Sequence, residues 1–153
     1  MSRAFVREDD TQAEALPERP VSPHPNYVTV AGRDMIGAEV ERLRAEYAAA
    51  QASSDRAALA RIGRDLHYWE QRRASAQVMP APTDSGTVGF GSTVTIARDD
   101  GRRQTWRIVG EDEADPARGT LSYVSPVARA LNGRRVGDVV QAGNSDAKIV
   151  AIE

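Results

Sequence analysis

The chain has 153 residues, of which 20 are basic, 22 are acidic and 41% are hydrophobic, a length that suits one ordinary domain or a small domain with an appendage. The absence of cysteine excludes disulfides, thiolate metal sites and cysteine nucleophiles. No apolar run approaches the roughly 18 residues of a membrane span, and a net charge of −2 gives no general attraction to nucleic acid.

Residues 1–33 are predicted to form an extended or disordered arm. Half of the eight prolines lie here, at Pro17, Pro20, Pro23 and Pro25. Proline lacks an N–H group and disfavours helix at the residue before it. The first ten residues lack the apolar core of a signal peptide, so we expect the protein to stay in the cytoplasm.

Residues 34–78 are predicted to form an antiparallel helical hairpin, a short coiled coil. Two apolar stripes follow a heptad-like spacing. They comprise Ile36, Val40, Leu43, Tyr47 and Ala50, then Leu59, Ile62, Leu66, Trp69, Arg73 and Ala76. Asp34 is a candidate cap for the first helix. Ser53 or Ser54 is a candidate cap for the second, with Asp55 in its first turn. Arg73 would lie on the seam with its stem packed and its charge in water.

The pattern leaves open what covers the hairpin. Each stripe spans only two to three heptads, which is marginal for an isolated helix. The apolar stripes could be covered by the other helix of the hairpin, by the neighbouring domain, by a second protein, or by a second copy of the chain in a dimerisation coiled coil.

Residues 79–87 are predicted to be a linker, marked by Pro80, Pro82 and Gly86, and residues 88–153 a small antiparallel sheet on one short helix. Alternation favours strands at 92–96, 105–109, 121–124, 136–140 and 149–152. A hairpin turn is predicted at 99–101 and an acidic loop at 112–119. Ser125 would cap a helix whose first residue is Pro126 and which Gly133 ends. The predicted fold class is therefore α+β.

The residues offer little for catalysis, so no cofactor, metal site or enzymatic activity is predicted. His24 lies in the proline-rich arm, and His67 flanks a stripe position as a surface or partly packed side chain. The glycines at 86, 89 and 91 precede a strand rather than a helix, which argues against a phosphate cradle. The acidic residues at 111–113 and 115 match no EF-hand spacing and favour a solvated loop. Trp106 and Tyr123 are predicted to be core or half-core aromatics.

Five segments of residues 88–152, nearly half of the chain, resemble the C-terminal domain of the bacterial GreA/GreB transcript-cleavage and elongation factors. They occur in the family's order: VGFGSTVTI at 88–96, RIVG at 107–110, DEADP at 112–116, SPVARAL at 125–131 and VGDVV at 136–140. Residues 74–78 also resemble the family's exit from its coiled coil. Residues 2–10 and 23–29 resemble a subgroup of shorter, GreB-like members with a polar arm.

The resemblance implies an FKBP-like C-terminal domain that docks on RNA polymerase at the mouth of its secondary channel. The family's coiled coil enters that channel, where two acidic tip residues help to hold a second Mg²⁺ ion for RNA cleavage. In this sequence Asp55 is the only acid near the helix break, and Glu46 lies about two turns before it. Mg²⁺ needs several oxygen ligands. Asp55 is therefore predicted to stabilise the N-terminus of the second helix rather than to bind Mg²⁺.

The sequence thus predicts a regulator that binds RNA polymerase and has weak or no transcript-cleavage activity. The candidate contacts are Ser53, Ser54, Asp55 and Arg56 at the hairpin turn, with Ser125, Pro126 and Arg129 on the short helix. The last three equally suit a capped helix that covers the sheet. Nucleic acid would be met only within the transcription complex, and no membrane partner is expected. The alternatives are an active cleavage factor that depends on Asp55, an interaction module without polymerase, and a prolyl isomerase, for which fold alone is a poor argument.

Overall fold

The computed structural model describes residues 16–153, which form two compact units. One contains residues 16–22 with Gly37–Ala74, and the other contains Pro23–Ile36 with Ser75–Glu153. The elements in chain order are β1 (Tyr27–Val28), α1 (Val30–Ala52), α2 (Arg56–Ser75), β2 (Gln77–Val78), β3 (Thr93–Arg98), β4 (Arg103–Val109), β5 (Thr120–Ser122), α3 (Pro126–Leu131), β6 (Val139–Ala142) and β7 (Ser145–Ile152). A helical hairpin followed by a sheet with one short helix confirms the predicted fold class. The part of the predicted arm at residues 1–15 lies outside the described residues.

The hairpin packs along the predicted stripes. Leu43, Ala50 and Ile62 are buried between α1 and α2, and Tyr47, Leu59, Leu66 and Trp69 pack around them. Ion pairs also link the helices, from Arg44 to Glu70 at 3.1 Å and from Arg73 to Glu41 at 3.4 Å. Arg73 reaches across to α1 with a side chain that is 41% exposed, whereas its neighbour Arg72 is only 1% exposed.

Both predicted helix caps need correction. Helix α1 begins at Val30, and Thr29 rather than Asp34 caps it, because the Thr29 hydroxyl accepts the Gly32 N–H at 3.0 Å. The predicted boundary between residues 33 and 34 therefore falls inside α1. At the second helix Asp55 itself is the cap, since its carboxylate accepts the Ala58 N–H at 3.1 Å. Ser54 lies in the turn with a φ of 54°.

The sheet has the strand order β5-β4-β3-β7-β6, and one of its pairings differs from the prediction. Strands β3, β4, β6 and β7 pair antiparallel, but β5 runs parallel to β4. The connection at residues 110–119 carries the chain back before β5 starts, so this pair is not a hairpin. The turn between β3 and β4 lies where it was predicted, with Gly101 at a φ of 84°. Backbone and side-chain hydrogen bonds from Arg102 lower the pKa of Asp100 in this turn.

One face of the sheet packs against α3 and holds the core of the second unit. The buried residues are Val88, Val94, Ile96, Ile108, Ala128, Leu131, Val140, Ala142, Ala147, Ile149 and Ile152. Trp106 and Tyr123 are partly buried against this core, as predicted. Ser125 caps α3 and Pro126 is its first residue, also as predicted.

Strands β1 and β2 form a separate parallel ribbon at the edge of this unit. Tyr27 pairs with Gln77 and Val28 pairs with Val78. Val28 is fully buried, and Asn26 and Thr29 are 4% and 5% exposed. The last residues of the predicted arm are thus part of the second unit. Among the residues that the structure describes, no helix has the length and apolar character to cross a membrane.

Candidate interaction surfaces

Three aromatic rings from distant parts of the sequence meet in the second unit. The ring centroid of Tyr123 lies 5.5 Å from that of Tyr27 and 5.7 Å from that of Phe90. Tyr27 and Phe90 approach edge to face at 6.4 Å. These separations are typical of favourable aromatic pairs. The Tyr123 hydroxyl donates a hydrogen bond to the Pro25 carbonyl, which holds residues 25–27 against the ring.

The aromatic rings line a cavity of about 340 Å³ beside α3. Its walls are mostly apolar, and they comprise Tyr27, Met79, Phe90, Ile108, Tyr123, Ala128, Arg129 and Asn132. Ala128 and Ile108 are buried in the core, so the floor is fixed by packing. A concave apolar site with few polar groups is the usual form of a binding site.

Helix α3 brings two of its three predicted contact residues to the surface. The Ser125 hydroxyl accepts the Ala128 N–H at 3.3 Å and is thereby used as the helix cap. Pro126 and Arg129 are exposed. A guanidinium nitrogen of Arg129 lies 3.4 Å from Nε2 of His24 at the rim of the cavity. Arg129 and Pro126 are available to a partner, whereas Ser125 holds the helix in shape.

A second cavity of about 420 Å³ shares Met79 and Phe90 with the first. It lies between the start of α1 and the segment after β2, and its remaining lining residues are Thr29, Val30, Ala31, Asp34, Pro80, Ala81, Gly91 and Arg107. Gly91 has a φ of 84°, and a Cβ there would lie 3.0 Å from Cδ of Pro82. Glycine at position 91 therefore allows Pro82 of the linker to pass close to the segment that leads into β3.

The acidic loop is not simply solvated. The Glu113 carboxylate accepts the Thr29 N–H at 2.9 Å and the Gly110 N–H at 3.0 Å, and it also accepts the Thr29 hydroxyl. A Cβ on Gly32 would lie 2.1 Å from Cδ of Glu113. A carboxylate at a helix N-terminus interacts favourably with the positive end of the helix dipole. Glu113 therefore fastens the start of α1 to the loop after β4, which corrects the prediction of a solvated loop.

The turn between α1 and α2 holds the other predicted contacts. Ser53, Ser54, Asp55 and Arg56 are exposed, and the Ser53 hydroxyl donates to the Ala50 carbonyl at 3.3 Å. Glu46 lies within α1 and is hydrogen-bonded to Arg42. Arg42 also binds Glu39 and lowers the pKa of that carboxyl. No group of three or more histidine, aspartate or glutamate side chains with metal-binding proximity occurs in residues 16–153.

Sequence reasoning missed the contributions of Tyr27 and Met79 to the first cavity. Both flank the helical hairpin in sequence, and pairing of β1 with β2 brings them together. The only local signal was the pair of strand-favouring residues Tyr27 and Val28. Phe90, Tyr123 and Arg129 were noted, but their approach to Tyr27 depends on contacts about 100 residues apart in the chain, as in the hydrogen bond of Tyr123 to Pro25.

Comparison with known proteins places residues 82–153 in a defined domain. They match the family model described as "Transcription elongation factor, GreA/GreB, C-term". The chain is 47% identical over 77 residues to the transcription elongation factor GreA of Desulfovibrio desulfuricans, which covers 49% of this chain and 48% of the relative. It is 39% identical over 98 residues to the GreB of Neisseria meningitidis serogroup B, with 60% of each chain covered. The chain thus spans about half to three fifths of the length of these relatives.

A solved structure of GreA factor homolog 1 (Gfh1) from Thermus thermophilus overlays with a TM-score of 0.41. The overlay covers 85% of this chain and 99% of that chain at 24% identity. This overlay is too loose to bear on fold or function.

Proposed function

We propose that the chain, whose residues 82–153 match the C-terminal domain model of the GreA/GreB transcription elongation factors, is a regulator that binds bacterial RNA polymerase. It would act in the cytoplasm at the polymerase secondary channel, with weak or no stimulation of transcript cleavage. Nucleic acid would be met only within that complex.

The cavity beside α3 is the observation that carries the docking part of this proposal. Arg129 stands exposed at an apolar cavity within the unit that contains the family domain, and Pro126 is exposed on the same helix. Protein interfaces typically combine an apolar centre with polar groups at the rim, and arginine is enriched in them. Ser125 contributes by capping the helix that presents these two side chains.

The hairpin would be the part that enters the channel. Helices of 23 and 20 residues are roughly 30–35 Å long at 1.5 Å per residue. Ser53, Ser54, Asp55 and Arg56 would make the contacts at its turn. Asp55 is engaged as a helix cap and Glu46 is paired with Arg42. An arrangement that already uses both carboxylates supports a channel-occupying regulator over a Mg²⁺-delivering cleavage factor.

The test is transcript cleavage on a stalled, backtracked elongation complex, with binding to polymerase recorded on the same samples. We expect binding with no more than a small increase in cleavage rate. Asp55→Asn keeps a good cap residue while removing the charge, and we expect it to leave both readouts unchanged. Strong cleavage that this variant abolishes would establish the cleavage factor instead. Absence of binding would reject the polymerase partner.

A further inference from the structure

Residues 23–25, which we call the latch, lie against the cavity beside α3. The Tyr123 hydroxyl donates a hydrogen bond to the Pro25 carbonyl, and a guanidinium nitrogen of Arg129 lies 3.4 Å from Nε2 of His24. A neutral imidazole with its hydrogen on Nδ1 accepts a hydrogen bond at Nε2. The latch thus contacts two of the residues that line the cavity.

Both contacts use polar groups that a docking partner would need. The walls of the cavity are mostly apolar, and Arg129 supplies a positive charge to them while Tyr123 supplies a hydroxyl. In an apolar site a few well-placed polar groups fix the orientation of a ligand and provide specificity. The latch therefore already uses part of the hydrogen-bonding capacity of the cavity.

The latch is held to the surface without being part of a helix or strand. Pro23, His24 and Pro25 are all exposed. Proline has no N–H group, so only His24 can donate a backbone hydrogen bond from the latch. The next residue, Asn26, is by contrast 4% exposed, and its carbonyl accepts the Gln77 N–H at 2.8 Å. The latch can therefore leave the cavity at the fixed Asn26 without breaking the pairing of β1 with β2.

We propose that the latch is a displaceable cover of the cavity, an intramolecular competitor that the docking partner has to move before it engages Tyr123 and Arg129. This inference rests on the proposed polymerase partner and adds a regulatory step to its docking. A closed latch lowers the apparent affinity in proportion to the fraction of molecules in which the cavity is covered. Exposed hydrogen bonds are individually weak, so the latch reduces docking without abolishing it.

The first test is the affinity of the purified chain for core RNA polymerase, measured by biolayer interferometry. His24→Ala removes the Nε2 acceptor, and we expect it to bind about threefold more tightly, the effect of one modest hydrogen bond. His24→Gln keeps an acceptor and should bind like the wild type. Pro20→Ala is the matched control, because Pro20 is exposed just before the latch. Binding of His24→Ala that is no tighter than that of Pro20→Ala would reject the latch.

The second test follows the position of the latch itself. The chain has no cysteine, so nitroxide labels on Pro23→Cys and Asp146→Cys report a single distance by pulsed electron paramagnetic resonance. Asp146 is exposed on β7 and does not line the cavity. We expect a narrow distance distribution in the free chain and a second, broader population when core polymerase is added. The pair Arg134→Cys and Asp146→Cys should give the same distance with and without polymerase.

The outcomes separate the latch from the proposed function. If the chain binds polymerase while the distance between positions 23 and 146 stays unchanged, the latch is wrong and the polymerase partner stands. A broad distribution in the free chain would also reject the latch, because the cavity would then be uncovered before docking. If the wild type does not bind polymerase, the proposed function is wrong, and control of docking by the latch is rejected with it.

Discussion

Glu113 illustrates how a single side chain takes a role that its sequence neighbours do not suggest. It lies in an acidic stretch, yet its carboxylate accepts hydrogen bonds from Thr29 and Gly110. Thr29 is 84 positions away in the chain, so local pattern carried no information about this bond. By contrast, the cap Ser125 and the first-turn Pro126 could be predicted, because both act within a few residues of their own position.

Removing the Glu113 carboxylate should destabilise the second unit. Glu113→Ala leaves the Thr29 and Gly110 N–H groups without their acceptor, and bonds to charged groups are worth roughly 1.5–3 kcal/mol each. We expect a loss of about 3 kcal/mol in the free energy of unfolding, the lower end for two such bonds because Glu113 is partly exposed, measured by urea denaturation with tryptophan fluorescence.

The control for this variant is Asp146→Ala, since Asp146 is exposed on β7 in the same unit. It should unfold within about 0.5 kcal/mol of the wild type, as is usual for surface substitutions. Gly32→Ala offers an independent check, because the new Cβ would meet the Glu113 carboxyl group. Equal stabilities of Glu113→Ala and Asp146→Ala would show that the Glu113 bonds are not stabilising.

At the scale of elements, periodicity predicted what each segment forms better than where it ends or how it pairs. The apolar stripes predicted both helices of the hairpin, and the alternation of polar and apolar residues predicted strands β3 and β4. The predicted start of the hairpin at residue 34 was four residues too late, because Asp34 suggested a helix cap. The structure instead begins α1 at Val30, with Thr29 as its cap. The parallel pairing of β5 depends on the path of residues 110–119, which strand propensity does not describe.

The cap of α2 yields an element-scale prediction. Asp55→Ala removes the acceptor of the Ala58 N–H and should destabilise the hairpin by about 1 kcal/mol. Asp55→Asn retains a cap oxygen and should cost only a few tenths of a kcal/mol. Thermal unfolding followed by circular dichroism at 222 nm, where helix dominates the signal, measures both. An equal loss in the two variants would mean that the charge of Asp55, rather than its capping bond, stabilises the helix.

At the scale of the whole molecule, the C-terminal domain is built from two separated parts of the chain. Residues 23–36 belong to the same compact unit as residues 75–153. The five blocks of the family resemblance lie at 88–140, whereas residues 23–29 resemble only a subgroup of members with a polar arm. The fold class and the position of α3 could be predicted from sequence. The cavity beside α3 could not, because Tyr27 and Met79 come together only when β1 and β2 pair across the intervening hairpin.

Tyr27 tests whether this early segment is integral to the domain. Tyr27→Ala removes one ring from the cluster with Phe90 and Tyr123. We expect a loss of about 2–3 kcal/mol in the free energy of unfolding, slightly below a fully buried aromatic because Tyr27 is half-buried. His24→Ala, an exposed neighbour, is the control. Urea denaturation of both variants in a Trp69→Phe background, where Trp106 is the only tryptophan and is excited selectively, provides the measurement. Matching transitions for Tyr27→Ala and His24→Ala would show that the segment is not part of the cooperative domain.

Helix α1 has a consequence for how the chain folds. Its first seven residues, Val30 to Ile36, belong to the second unit, while the rest of the helix belongs to the first. Helix formation is cooperative along a continuous backbone, and new ends leave hydrogen-bonding groups unsatisfied. Melting either unit therefore creates a frayed helix end in the other. We therefore expect unfolding of one unit to destabilise the other, and the two tryptophans of the chain, Trp69 and Trp106, provide an optical reporter in each.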